Sequence, residues 1–266
     1  MSKILLVLLL LFSCLASAET MMIQVEPGII LETTILKPEG DGPFPMVVIN
    51  HGKNAGRPKN QKAMSYDTLG NEFVKRGYIV VQPMRRGFAN STGFYHGSSC
   101  ELYEHGMNQA EDIDLIVELL SKDPWVDPNN ILIIGQSYGG LATMAYGTYA
   151  HPGVKGLINF AGGLMFWGGC HEWKKSLVKA FESFGGRTTI PSLWYYGRND
   201  SHFDIELSTE MHNAYNDAGG KATMVNFGPY AHDSHGLISW TDGPDIYWPE
   251  MEAFLTRVGL PTAIKH

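Results

Sequence analysis

Gly135-Gln136-Ser137-Tyr138-Gly139-Gly140 stands directly after the apolar run Ile131-Leu132-Ile133-Ile134 and directly before a helical pattern. A serine on a sharp strand-to-helix turn has its hydroxyl lifted above a sheet, and it needs small neighbours because the backbone there is strained and closely packed. Ser137 is therefore the candidate nucleophile. A hydroxyl attacks poorly at neutral pH, so a base must take its proton and an acid must fix the tautomer of that base. The apolar segment 192–196 leads into Gly197-Arg198-Asn199-Asp200, which makes Asp200 the candidate acid. Asp204, four residues on, reads instead as a helix cap. After segment 222–227 comes Tyr230-Ala231-His232-Asp233-Ser234-His235-Gly236. His235 is the preferred base, since Gly236 lets the loop turn and Leu237-Ile238 can anchor it; His232 is the alternative.

An oxyanion needs two fixed donors where charge develops. Tyr138 N–H, just after the nucleophile, is one. The second is expected from Asn50-His51-Gly52-Lys53-Asn54-Ala55-Gly56, with Lys53 N–H preferred over Asn54. His51 reads as a structural residue under that loop, and His212 is assigned no role. No metal is expected, because His232, His235 and Asp233 lack further ligands at recognisable spacing.

Such a site requires elements to hold it. Short apolar runs predict strands over 46–50, 78–82, 131–134, 156–160, 192–196 and 222–227, with helices over 66–75, 108–120, 138–149, 172–184, 205–217 and 245–258. In 108–120, Ile113, Ile116, Val117 and Leu120 fall at helical spacing on one face. This alternation predicts an α/β fold with a mainly parallel central sheet and helices on both faces, its chemistry at the carboxyl ends of the strands. Segments 21–26 and 30–36 predict an antiparallel pair at the edge. Two stretches, 84–107 and 161–171, read as long loops rising over the site. Their aromatics, Phe88, Phe94, Tyr95 and Tyr103 in one and Phe166 and Trp167 in the other, suggest an apolar substrate pocket or a packed lid.

The 266 residues are 44% hydrophobic and 18% charged, as in an ordinary globular chain, and no linker or repeat divides them. Residues 1–18 read as a secretory signal: Lys3, the apolar run from Ile4 to Phe12, then Ala16-Ser17-Ala18 before a cleavage point. The apolar run is shorter than the roughly 20 residues of a membrane span. Cys14 raises lipidation, against which Phe12 stands as too bulky. A hydrolase domain is then expected over 19–266, secreted or periplasmic, with no stable membrane insertion after signal removal. That domain holds only Cys100 and Cys170, which an oxidising compartment would pair. The net charge of −7, or −8 once a leader carrying one Lys and no acid is removed, and the lack of any basic cluster beyond Lys174-Lys175 and Arg85-Arg86 exclude nucleic acid as a partner.

His51-Gly52, Gly135-x-Ser137-x-Gly139-Gly140, Gly197-x-x-Asp200 and His235-Gly236, in this order, resemble the dienelactone hydrolase-like and prolyl-oligopeptidase-like branch of the α/β hydrolases over roughly residues 27–258. Pro83-x-Arg85-Arg86-Gly87-x-x-x-Ser91-x-Gly93 is similar to the Arg-Gly loop of X-Pro dipeptidyl-peptidase and cocaine-esterase relatives. The resemblance implies the α/β-hydrolase fold and cofactor-free hydrolysis of small-molecule esters or short peptides. Dienelactone hydrolases carry Cys where this chain has Ser137, and processive oligopeptidases carry a large extra domain for which this sequence has no room.

Three functions follow as expectations. The first is a carboxylesterase working through Ser137, His235 and Asp200 and an acyl-enzyme. The second is a small-peptide hydrolase, in which Glu101, Glu104 or Glu172 would grip a substrate ammonium. The third is a binding protein on the same fold. Arg85-Arg86 could hold a substrate carboxylate or pair with acids inside the fold.

Overall fold

The computed structural model describes residues 18–97, 100–166 and 169–265. The residues read as a signal, other than Ala18, lie outside the described residues, as does Trp167. Eight strands form one sheet in the order β1-β2-β4-β3-β5-β6-β7-β8. They are β1 (Ala18–Glu26), β2 (Ile29–Leu36), β3 (Phe44–Asn50), β4 (Ile79–Pro83), β5 (Val126–Gln136), β6 (Val154–Phe160), β7 (Ser192–Tyr196) and β8 (Ala222–Asn226). From β4 to β8 every pairing is parallel, while β1 and β2 form the antiparallel pair expected at one edge.

The parallel strands are apolar without a break because both faces are covered. Met46 and Val48 of β3 and Ile131 and Ile133 of β5 face one core; Val47, Ile49, Leu132 and Ile134 face the other. Over the first face lie α2 (Leu102–Leu120), α3 (Tyr138–Tyr146), α4 (Trp173–Gly185) and α5 (Ile205–Asp217). Over the second lie α1 (Asp67–Val74) and α6 (Gly243–Arg257). This is the α/β-hydrolase architecture that the strand and helix alternation predicts.

Three elements differ from the sequence reading. Helix α2 begins six residues earlier than 108, so the first loop spans 84–101. Its first two turns bury Leu102, His105, Gly106 and Gln109, which keep helical spacing but hide it behind polar residues and a glycine. Strand β5 starts at Val126, through Pro128 and a register shift against β3. Residues Ser234–Ser239, read as plain loop, form a 3₁₀ turn whose Asp233 cap accepts from His235 N–H.

Cys100, just before α2, is disulfide-bonded to Cys170, before α4, with Cα atoms 5.6 Å apart across a sequence separation of 70. Closing a loop of that length stabilises a fold by about 4 kcal/mol on chain-entropy grounds. At about 2–4 °C per kcal/mol for a chain of this size, the double variant Cys100→Ser/Cys170→Ser is expected to melt about 10 °C lower. Differential scanning calorimetry with and without reductant checks this; an unchanged Tm in both experiments would mean that the crosslink does not constrain the unfolded chain.

Candidate active site

Strand β5 ends at Gln136, and Ser137 makes the turn into α3 with φ 55° and ψ −121°. For a residue with a β-carbon this conformation costs about 1–3 kcal/mol and persists only where the surroundings enforce it. They do so here. Ser137 N–H donates to Phe160 O at 2.9 Å, and Gly163 N–H donates to Ser137 O at 3.0 Å, so β6 and its following loop grip both sides of the residue. The flanking glycines are sterically required: a β-carbon at Gly135 would lie 2.1 Å from Gly139 O, and one at Gly139 would lie 2.2 Å from Asn50 O.

Asp200 follows β7 and His235 follows β8, so both hang over the same end of the sheet. His235 Nδ1 lies 3.0 and 3.1 Å from the two carboxylate oxygens of Asp200. The Asp200 side chain is fully buried and also accepts from the backbone N–H groups of His202, at 2.8 Å, and Phe203, at 2.9 Å. A carboxylate held by these donors takes its hydrogen bond from Nδ1–H, which leaves the lone pair of His235 on Nε2. Ser137 and His235 line one cavity of about 420 Å³, together with the loop Gly52–Ala55. His232 points elsewhere, its exposed ring packing on Trp240 at 5.6 Å. Asp204 caps α5 by accepting from Leu207 N–H at 2.8 Å.

Three successive amides of the loop after β3 have different fates. Gly52 N–H donates to the Tyr66 hydroxyl at 3.1 Å and Asn54 N–H to Gln61 Oε1 at 3.1 Å. Lys53 N–H, between them and in the cavity, has no hydrogen-bond partner among the described residues. Tyr138 N–H, in the first position of α3, belongs to the donors a helix cannot satisfy internally. The alternative donor Asn54 is thus already engaged. Partial burial lowers the pKa of the Lys53 ammonium.

Beneath this loop His51 is 2% exposed. Arg85 N–H donates to its Nε2 at 3.1 Å, so Nδ1 carries the proton and donates to Gly52 O at 2.7 Å. Burial first and the Arg85 charge second hold its pKa well below the usual imidazole value. His51 is a neutral strut. His212 likewise packs, its Nε2 3.0 Å from Ala222 O and its ring on Trp194.

Arg85 and Arg86 are committed inside the fold. Buried Arg85 donates to His51 O at 2.6 Å and to Gln109 Oε1 at 2.8 Å, and Arg86 pairs with Asp112 at 2.6 Å and with Glu111 and Glu26 at 3.3 and 3.5 Å. Of the two uses open to this pair, the internal one is occupied. The aromatic loops also resolve toward packing. Phe88 is fully buried against His51 and Tyr95, Tyr103 stacks on Phe184, and Phe166 packs on His105. Phe94 is 82% exposed, and none of these rings lines the cavity that holds Ser137.

A family model described as X-Pro dipeptidyl-peptidase (S15 family) matches residues 27–187, more than half of the chain. The chain belongs to this family. Its fold is shared with the esterase Pf2001 of Pyrococcus furiosus, at TM-score 0.64 and 16% identity over 91% of this chain and 93% of that one. A candidate dienelactone hydrolase of Klebsiella pneumoniae superposes at TM-score 0.66 and 19% identity, over 91% and 99% of the two chains. The uncharacterized peptidase YuxL of Bacillus subtilis is 22% identical over 81% of this chain, which spans only 35% of that relative's length. Family and fold place the chain among α/β hydrolases of the serine-hydrolase type, with both esterases and peptidases among its neighbours.

Several residues of the site carry no signal in the sequence. Tyr66 accepts from Gly52 N–H and contacts Gln136 Oε1 at 3.4 Å, and burial pushes its hydroxyl up to about 12, so it stays protonated. Gln136 Nε2 donates to His235 O at 3.2 Å, tying the nucleophile turn to the histidine loop. Asp233 accepts from His235 N–H at 2.9 Å and from the Ser201 hydroxyl at 2.6 Å. It thereby joins the loops of Asp200 and His235. His202 stacks on His235. The position of Gln136 inside the serine motif was the one available hint; the others depend on contacts between distant loops.

Proposed function

We propose that the protein is a secreted or periplasmic serine hydrolase that cleaves carboxylic esters through Ser137, His235 and Asp200. The observation that carries the reading is a Nδ1–carboxylate contact of 3.0 Å between His235 and Asp200 in the same cavity as a serine held at positive φ. Ser137 Oγ attacks the ester carbonyl carbon as its proton passes to His235 Nε2, and Asp200 stabilises the imidazolium that forms. Charge on the carbonyl oxygen is met by the Tyr138 and Lys53 N–H groups. His235 then protonates the leaving alcohol, and water, deprotonated by the same imidazole, releases the acid from Ser137. Residues 1–18 serve as the export leader and 19–266 as the hydrolase domain, a reading that the Cys100–Cys170 disulfide supports.

Preference for esters rests on the cavity lining. An aminopeptidase must grip a substrate ammonium, yet among the described residues no carboxylate lines the cavity, whose one charged side chain is Lys53. Glu101 and Glu172 line a different depression beside the disulfide, and Glu172 pairs with Lys175 at 2.6 Å. Family membership favours the second reading, a small-peptide hydrolase. Comparing kcat/KM for short p-nitrophenyl esters with that for aminoacyl and prolyl p-nitroanilides at one pH decides between them. Ester turnover is expected to be much the faster, because an amide also requires firm positioning and protonation of a poor leaving group. Anilide turnover equal to or above it moves the enzyme to the peptidases, and a chain that fails to react with a fluorophosphonate probe is a binding protein.

A further inference from the structure

Two residues after Asp200, the His202 ring lies face to face with the His235 ring, centroids 4.2 Å apart and planes at 21°. Its tautomer follows from its neighbours. Ser201 Oγ donates its single proton to Asp233 Oδ2 at 2.6 Å, so the 2.8 Å contact between Ser201 Oγ and His202 Nδ1 requires the ring proton to sit on Nδ1. The other nitrogen, Nε2, then carries a lone pair and has no hydrogen-bond partner among the described residues, on a ring that lines the Ser137 cavity. His235 is built alike: a carboxylate holds its Nδ1–H directly, where for His202 a hydroxyl relays the hold.

Two imidazoles and a carboxylate are a donor set for borderline divalent cations. One ligand atom from each of Asp200, His202 and His235 lies within 4.8 Å of the other two. A tetrahedral Zn²⁺ with bonds of about 2.0–2.2 Å holds its donors about 3.3 Å apart. The Asp200–His235 pair already meets that spacing at 3.0 Å, and the exposed His202 ring nitrogen has to move in to complete the site.

We propose that Asp200, His202 and His235 form a reversible inhibitory site for a divalent transition-metal cation of the Zn²⁺ class. Bound through His235 Nδ1 beside Asp200, the metal shifts the ring proton to Nε2, where it blocks uptake of the Ser137 proton, and it neutralises the carboxylate that stabilises the imidazolium. This arrangement stops proton transfer. The inhibitory half of the proposal rests on the serine-hydrolase reading above; the binding half does not.

Calorimetric titration of ZnCl₂ into Ser137→Ala protein is expected to show one-to-one binding, weakened by about tenfold or more when His202→Ala or His202→Gln is added. In rate assays of protein with Ser137 intact, Zn²⁺ is expected to inhibit ester hydrolysis, EDTA to restore it, and Mg²⁺ to leave it unchanged. The His202 variants, each measured against its own metal-free rate, should show an inhibition constant raised by the same factor. Absence of stoichiometric zinc binding, or binding and inhibition that neither His202 variant weakens, overturns the site. Zinc binding that needs His202 in a protein that hydrolyses nothing would keep the site and refute the serine-hydrolase reading instead.

Discussion

Ser137→Ala is expected to lower kcat by about 10⁴- to 10⁶-fold while leaving the fold intact. The size follows from the triad acting as a unit: without the hydroxyl, the base and the oxyanion donors have no covalent step to assist. Stability should scarcely change. No hydrogen bond from Ser137 Oγ holds the fold among the described residues, and Ala keeps the β-carbon and with it the strain of φ 55°. Ser137→Gly separates the two properties. It is as inactive, but it removes the β-carbon from a conformation that costs about 1–3 kcal/mol, offset by roughly 0.5–1 kcal/mol of extra backbone entropy in the unfolded chain. The Gly variant should therefore melt at or above the Tm of the Ala variant. Retention of more than a few per cent of activity in either variant, purified free of wild type, would falsify the nucleophile assignment.

The fold was legible because the parallel strands bury both faces and read as unbroken apolar runs, as Met46 to Ile49 and Ile131 to Ile134 do. Where packing uses polar or small residues the pattern fades. The first turns of α2 bury His105, Gly106 and Gln109, and a hydrophobic periodicity cannot see them. The 3₁₀ turn at Ser234–Ser239 is equally silent, since a side chain of the turn itself, Asp233, sets it rather than an apolar period.

The site divides along the same line. Ser137, Asp200 and His235 were legible as candidates because each follows a readable strand and the order of the loops is fixed by topology. The preference for His235 over His232 and for Lys53 over Asn54 came from the local loop sequence alone; in the structure His235 lies beside Asp200, His232 rests on Trp240 and Asn54 N–H is engaged by Gln61. The supporting residues were beyond reach. Tyr66 meets Gly52 across 14 residues, Asp233 meets Ser201 across 32, and Gln136 meets His235 across 99. No spacing rule links such positions; only the folded sheet brings its strand ends together.

His235→Ala is expected to be as damaging as Ser137→Ala, and His232→Ala to retain most activity. Among the described residues, His235 alone is held 3.0 Å from Asp200 while lining the cavity with Ser137, whereas the His232 ring rests on Trp240. Losing His235 removes both the acceptor for the serine proton and the donor to the leaving group, so acylation and deacylation fail together. Asp200→Asn tests the third member more finely. The amide oxygen can still accept from His202 N–H and Phe203 N–H, so the loop keeps its shape, but the amide nitrogen replaces the nearer oxygen at 3.0 Å from His235 Nδ1 with a donor, and the negative charge that favours Nδ1–H is lost. The imidazole then favours the wrong tautomer and a loss of about 10⁴-fold in kcat is expected with little change in KM. Single-turnover acylation by a p-nitrophenyl ester, read across the three variants, is the measurement. A His232→Ala protein that acylates slowly beside a His235→Ala protein that acylates normally would shift the base by three residues and separate it from Asp200. An Asp200→Asn protein with unimpaired acylation would leave His235 as a base held by something other than this carboxylate.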